Sequence, residues 1–239
     1  MGANITASDK ILGLAKSPLR AHLLGSAMVL MACAPLAGCK EAATSEASAS
    51  ESASSESAAN KSASNEYLVE DQQAYKDAVK NAKPGDVIRL KDGTWEDFEI
   101  LFTGKGEKDK PITLTAETKG KVILTGQSNL LLGGEYLEVS GLVFKDGYTP
   151  TKEVISFRQN KENLAYNSRV TEVVIDNYNQ PERYEVDFWV MMYGKNNRFD
   201  HNHLVGKRNK GVTMAVRMNT EESRENYHRI DHNLSLIHI

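Results

Sequence analysis

Arg198-Phe199-Asp200-His201-Asn202 matches Arg229-Ile230-Asp231-His232-Asn233, and Val174-Ile175-Asp176-Asn177 echoes both. The intervals, 24 residues from Asp176 to Asp200 and 31 from Asp200 to Asp231, fall in the range of one solenoid coil. Around this repeat lie short segments rich in Val, Ile, Leu, Thr and Phe, punctuated by Gly, Asn and Asp. They are Val87 to Leu90, Ile112 to Ala116, Val122 to Thr125, Tyr136 to Phe144, Val154 to Phe157, Val170 to Ile175, Phe188 to Met192 and Met214 to Arg217, and each reads as a strand. Parallel strands stacked about 4.8 Å apart would superimpose their inward apolar residues. Asn and Asp tolerate the left-handed corners between them. The expected fold is all-β, a right-handed parallel β-helix. A β-sandwich would need more two-residue hairpin turns than this sequence offers.

One helix is expected before the first coil. Asp71 precedes Ala74, Tyr75, Ala78 and Val79, an N-capped amphipathic pattern, and Pro84-Gly85 stops it. Such a helix would cap the open end of the solenoid, where an uncovered sheet edge invites pairing.

Upstream the composition changes twice. Lys10, Lys16 and Arg20 precede an apolar run from Leu23 to Pro35, too short to span a bilayer and suited to a secretory signal. It closes on Leu36-Ala37-Gly38-Cys39, which reads as a bacterial lipobox with Cys39 as the lipidated residue. Residues 1–39 are therefore expected to be a lipoprotein signal, making the chain exported and lipid-anchored, at the bacterial outer membrane or in the periplasm. Residues 40–65, almost wholly Ser, Ala, Glu, Thr and Asn, cannot bury enough surface to offset ordering entropy and read as a tether. The only other cysteine, Cys33, lies inside the signal, so disulfides and thiolate metal sites are excluded from the folded part. Residues 66–233 form one domain by size and even composition. Leu234 to Ile239 resemble the translation of a sequencing adapter.

Several segments in order resemble the chondroitinase B-like polysaccharide lyases of family 6. They are Ala82-Lys83-Pro84-Gly85-Asp86-Val87-Ile88, Lys110-Pro111-Ile112-Thr113-Leu114, Gly141-Leu142-Val143-Phe144, Asn197 to Asn202 with Gly206-Lys207, and Tyr227 to Asn233. The resemblance covers Glu66 to Asn233. It implies β-elimination on a uronic-acid polymer, alginate first and dermatan sulfate second, with calcium over the substrate carboxylate, a lysine base and an arginine acid. The resemblance places these groups beyond Asn233, so no catalytic residue and no metal ligand is assigned. The chain reads as an N-terminal piece, truncated at its C-terminal end and inactive alone. A non-catalytic glycan-binding β-helix is the rival reading.

What remains is a surface for an anionic polysaccharide. Between Lys195 and Arg217, the cations Lys195, Arg198, Lys207, Arg208, Lys210 and Arg217 face only Asp200, a pattern that attracts polyanions. Export disfavours nucleic acid, and no protein partner is evident. Lys207, Lys210 and Arg217 are the candidate substrate-binding residues. Lys207 follows a corner glycine, and strand alternation turns Arg217 outward. His201, His203, His228 and His232 are better explained by a corner ladder than by a metal site. Trp189 is expected to be buried.

Overall fold

The computed structural model describes residues 64–218 and 220–236; the lipobox, Cys39 and most of the tether lie outside them. The chain enters as β1 (Glu66–Val69), turns through the helix α1 (Gln72–Asn81), and makes a first coil of β2 (Val87–Leu90), β3 (Gly93–Glu96) and β4 (Glu99–Lys105). The second coil is β5 (Ile112–Ala116), β6 (Val122–Gln127) and β7 (Asn129–Glu135). The third is β8 (Leu137–Ser140), β9 (Leu142–Tyr148) and β10 (Glu153–Ser156), followed by the short β11 (Ala165–Tyr166). The fourth is β12 (Arg169–Thr171), β13 (Val174–Asp176) and β14 (Phe188–Met192). The fifth is β15 (Arg198–Asp200), β16 (His203–Val205) and β17 (Met214–Val216), and β18 (Arg229–Asp231) and β19 (Leu234–Leu236) follow. The result is a parallel β-solenoid of about five turns.

Three sheets run its length. Sheet I is β1-β2-β5-β8-β12-β15-β18, sheet II is β3-β6-β9-β13-β16-β19, and sheet III is β4-β7-β10-β14-β17 with β11 beside β7. Each sheet sends apolar ladders inward, one of which runs through most of its strands. In sheet I it is Ile88, Leu114, Val139, Val170 and Phe199; in sheet II, Leu124, Phe144, Ile175 and Leu204. In sheet III it is Ile100, Leu130, Ile155 and Val190. All are buried, each contributing roughly 1.5–3 kcal/mol relative to exposure.

Asp71 caps α1, its Oδ1 accepting from the N–H groups of Gln73 and Ala74 at 2.9 and 2.8 Å. Tyr75 meets Phe98 edge-on at 5.1 Å and so covers the first coil. Two expected strands are each divided by a left-handed residue, Tyr136 to Phe144 at Gly141 (φ 77°) and Val170 to Ile175 at Glu172 (φ 56°). Strands β3, β4 and β7 were not expected, because their glycines read as breakers. Gly134 shows why glycine is used inside a strand. A Cβ there would lie 1.9 Å from the carbonyl oxygen of Gly104 in the preceding coil.

The repeat is real but its third member is misplaced by sequence alone. Arg198-Phe199-Asp200 stacks on Arg169-Val170-Thr171 and on Arg229-Ile230-Asp231, with partners 29 and 31 residues apart. Val174-Ile175-Asp176 instead stacks on His203-Leu204-Val205, one sheet further on. The adapter-like Leu234–Leu236 pairs in register with His203–Val205 as β19.

Candidate saccharide-binding face

The corner between sheets I and II is a ladder of side chains. His201 and His232 both sit at φ 56°, and their rings stack 4.9 Å apart, 6° from parallel. Each ring Nδ1 bonds the preceding aspartate, Asp200 at 2.6 Å and Asp231 at 2.8 Å. Asn202 spans coils, its Oδ1 accepting from Val173 N–H at 2.8 Å and its Nδ2 donating to Val170 O at 3.2 Å. His201 and His203 are separated by this corner, because the left-handed residue turns the chain between them. Among the described residues no group of three or more His, Cys, Asp or Glu is arranged to hold a metal ion.

On the outer face of sheet I, arginines and aspartates interlock between coils. Arg169 clamps Asp200 through two bonds of 2.8 and 2.6 Å, and Arg198 clamps Asp231 through bonds of 3.1 and 3.0 Å. Burial alone would raise the Asp200 carboxyl, but its bonds from Arg169 and His201 outweigh that and hold it below the ordinary carboxylate range. Asp231 is held well below that range, chiefly by Arg198. Burial pushes the His228 imidazole below its ordinary value. All three shifts have the same sign, with fewer protons bound in the folded state, so each stabilises at high pH and is lost on acidification. The urea midpoint is expected to fall once as pH drops below about 6.5, through His228, and again below about 4, through the two aspartates. A midpoint that stays flat from pH 7.5 to 5 would contradict the first step.

Lys207 does not face the solvent as expected. Its ammonium is buried, ion-paired to Asp187 and 3.2 Å from Asn209 Oδ1, and 5.5 Å from the centre of the Trp189 ring. Gly206, at φ 80°, turns the chain so that the residue after it enters the interior rather than the groove. Trp189 is fully buried and donates to Tyr178 O at 2.7 Å. Lys210 is exposed, its backbone N–H bonding Arg183 O and its carbonyl accepting from Asp187 N–H. Arg217 is exposed beside sheet III, its guanidinium 5.6 Å from the Phe188 ring centre. The six cations therefore do not form one patch. Arg198 is paired on sheet I and Lys207 is interior; of the other four, Lys195 is half-buried before β15, Arg208 and Lys210 are exposed in the loop before β17, and Arg217 is exposed just after it.

That face carries a cluster the sequence did not single out. The Glu153 carboxylate accepts from Ser156 Oγ at 2.6 Å, Tyr193 Oη at 2.7 Å and Arg158 at 3.0 Å. The Arg158 guanidinium lies 3.9 Å over the Tyr193 ring. Burial, with the Glu153 bond second, pushes the Tyr193 hydroxyl up to about 12, so it is a neutral donor. The Tyr193 ring face is thus occupied by Arg158. Glu153 and Arg158 escaped notice because strand alternation puts residues five apart on opposite faces. Val154 and Ile155 both pack into the core, and this irregularity brings Glu153 and Arg158 to the same side.

The sequence signature of chondroitinase B matches residues 69–235. The chain belongs to the chondroitinase B family. Among solved structures, this chondroitinase B-family chain is 68% identical to AlyGC, an alginate lyase of polysaccharide lyase family 6, with a TM-score of 0.70. That match covers 70% of this chain and 23% of AlyGC. A mannuronic acid-specific family 6 lyase from human gut microbiota is 36% identical, with a TM-score of 0.67, over 71% of this chain and 40% of that one. A family 6 lyase from Pseudopedobacter saltans is 30% identical, with a TM-score of 0.61, over 69% and 36%. The chain thus spans less than half the length of these chondroitinase B relatives. No match is found among curated proteins.

The family implies calcium, which takes six to eight oxygen ligands. The described residues do not fit it. Besides the lack of any acidic or histidine group of three arranged to hold a metal ion, the carboxylates of Glu153, Asp200 and Asp231 are already bonded by arginine, tyrosine or histidine donors.

Proposed function

We propose that this chain is the substrate-binding front of a polyuronate lyase that cleaves alginate by β-elimination. The observation that carries the reading is the 68% identity to an alginate lyase. The second reading, a dermatan sulfate lyase, is favoured by the family's own description as chondroitinase B. In either case the reaction removes the proton on C5 of a uronate, and groups able to do so must stabilise the developing enolate. Among the described residues no base, acid and cation set is assembled, so the 239-residue chain is expected to hold polymer without cleaving it. Calcium and the reacting groups belong, on this reading, to the longer protein, and the 36% identity to a mannuronic acid-specific enzyme supports mannuronate as the preferred unit. Cys39 is proposed as a lipid anchor facing the protein outward from a bacterial membrane, a proposal supported by the lipobox and tether. Labelled palmitate retained by Cys39→Ser would remove it.

The test is to express the chain and the uninterrupted longer reading frame, and to follow unsaturated uronate by ultraviolet absorbance on alginate and dermatan sulfate. Turnover of alginate by the longer protein alone is expected. Turnover of dermatan sulfate only would favour the second reading, and none on any uronate polymer would defeat the lyase assignment. In the longer protein Arg217→Ala is expected to weaken polyuronate binding by about 1.5–3 kcal/mol, the range for a charge-assisted bond, at an unchanged thermal midpoint. An unchanged KM would show that Arg217 is idle.

A further inference from the structure

Between β10 and β11 the chain leaves sheet III and returns, closed by an antiparallel bridge between Arg158 and Leu164. The excursion is internally bonded. Asn160 Oδ1 accepts from the N–H groups of Glu162 and Asn163 at 2.9 and 2.8 Å, and Gln159 Oε1 accepts from Asn163 Nδ2 at 2.8 Å. Its far side rests on Gly133 of the preceding coil, where a Cβ would lie 2.6 Å from Asn163 Nδ2. The turn therefore stands as a fixed wall on the outer face of sheet III. Beside it is a cleft of about 390 Å³ lined by Leu131, Thr151, Lys152, Glu153, Arg158 and Lys161 among others, within the roughly 300–1,000 Å³ of small-molecule sites.

The lining has two chemical halves. Leu131 lies on the sheet's outer face and supplies an apolar floor, paired in register with Leu101 and Ser156. Three cations surround it, against one carboxylate. That carboxylate, Glu153, is already bonded to Ser156, Tyr193 and Arg158, so it anchors the guanidinium rather than repelling an anion. Arg158 uses only one of its nitrogens on Glu153, and its position over Tyr193 limits how the remaining donors can turn. Lys152 and Lys161 are exposed and take part in none of the ion pairs found among the described residues. An apolar floor beside one held guanidinium and two exposed ammonium groups matches a sugar that has one hydrophobic C–H face and one carboxylate.

We propose that this cleft is a uronate-binding subsite, in which Arg158 and Lys161 take the carboxylate of one hexuronate unit whose ring lies over Leu131. The proposal rests on the polyuronate reading for its choice of sugar, but it concerns binding and needs no catalysis. A sulfate ester shares the anionic chemistry, so the test separates the two. Binding of a mannuronate tetramer, a sulfated galactan oligomer free of uronate, and neutral cellotetraose is measured by calorimetry on the full chain and on Arg158→Met and Lys161→Ala. Only the uronate tetramer is expected to bind the parent measurably. Arg158→Met is expected to weaken it about ten- to a hundredfold, the loss of one charge-assisted bond, and Lys161→Ala severalfold. Because Lys161 is exposed, Lys161→Ala is expected to keep the parent's thermal midpoint, so its loss of affinity cannot be a loss of fold. Parent-like affinity in both variants would overturn the subsite, and equal binding of the sulfated galactan would overturn the uronate assignment. Tetramer binding that depends on Arg158 and Lys161 would support the subsite even if the longer protein cleaves nothing. Turnover by the longer protein with parent-like affinity in both variants would leave the lyase reading standing without the subsite.

Discussion

Lys207→Met is expected to destabilise the protein by about 3–5 kcal/mol, the cost of leaving one member of a buried ion pair without its partner. Lys207 and Asp187 are both interior, with side-chain exposures of 3% and 0%. With Lys207 gone, the Asp187 carboxylate would keep its charge in a site from which water is excluded, or take up a proton at a free-energy cost. Its Oδ2 already has no partner, so nothing nearby would compensate. The same logic predicts the rescue. Removing both charges in Lys207→Met/Asp187→Leu leaves no buried ion, and replacing a buried pair by apolar residues is often neutral or stabilising. The double variant should melt within about 1 kcal/mol of the parent or above it. Urea unfolding of the two single variants and the double variant measures the coupling. A Lys207→Met protein as stable as the parent would show that the pair is not buried as described. With the expected destabilisation, weak polysaccharide binding by a Lys207 variant reports unfolding, not a lost contact with sugar.

Asn197→Ala is expected to be nearly as damaging, by at least about 3 kcal/mol, because three buried backbone groups lose their partner at roughly 1–3 kcal/mol each. The Asn197 amide donates to Ala165 O at 2.7 Å and to Tyr193 O at 2.8 Å, while its carbonyl accepts from Ser168 N–H at 2.9 Å. It thus joins the fourth coil to the fifth and fixes the chain just after Tyr193, the residue on which Arg158 is held. Asn197→Asp keeps the shape and the acceptor but presents oxygens to two carbonyls, so it should be no better tolerated than alanine. Thermal melts of both variants check this. An Asn197→Ala midpoint within a degree of the parent would mean that water or a local shift satisfies all three groups.

The solenoid was legible in the chain because its causes are local and repeated. Apolar residues at strand spacing, left-handed residues at corners and an Asp-led helix before the first strand are each decided by a few neighbouring residues. The matched pair at Arg198 and Arg229 sits in true register. Register over a longer reach was not legible in the same way. Val174-Ile175-Asp176 resembles Arg198-Phe199-Asp200 as a string, yet stacks on His203-Leu204-Val205. A short apolar-apolar-acid segment suits either side of a corner equally well, and only the neighbouring coils decide between them.

The site divides along the same line. That a cation ending a strand would face outward at Arg217, and that Trp189 would be interior, follow from period and polarity, which belong to the sequence alone. Whether a cation reaches water was decided by tertiary structure. Lys207 is charged, follows a corner glycine and still lies inside, because Asp187 waits there from another coil to offset its burial. Glu153 and Arg158 look like solvated strand residues until two consecutive apolar side chains, Val154 and Ile155, both enter the core and rotate them to one face. Sequence by itself determined the solenoid, its capping helix and most of its strands, but not the glycine-bearing β3, β4 and β7. Which side chains meet depended on contacts between residues some 20 to 40 apart along the chain, where packing and electrostatics act together and no local pattern records the outcome.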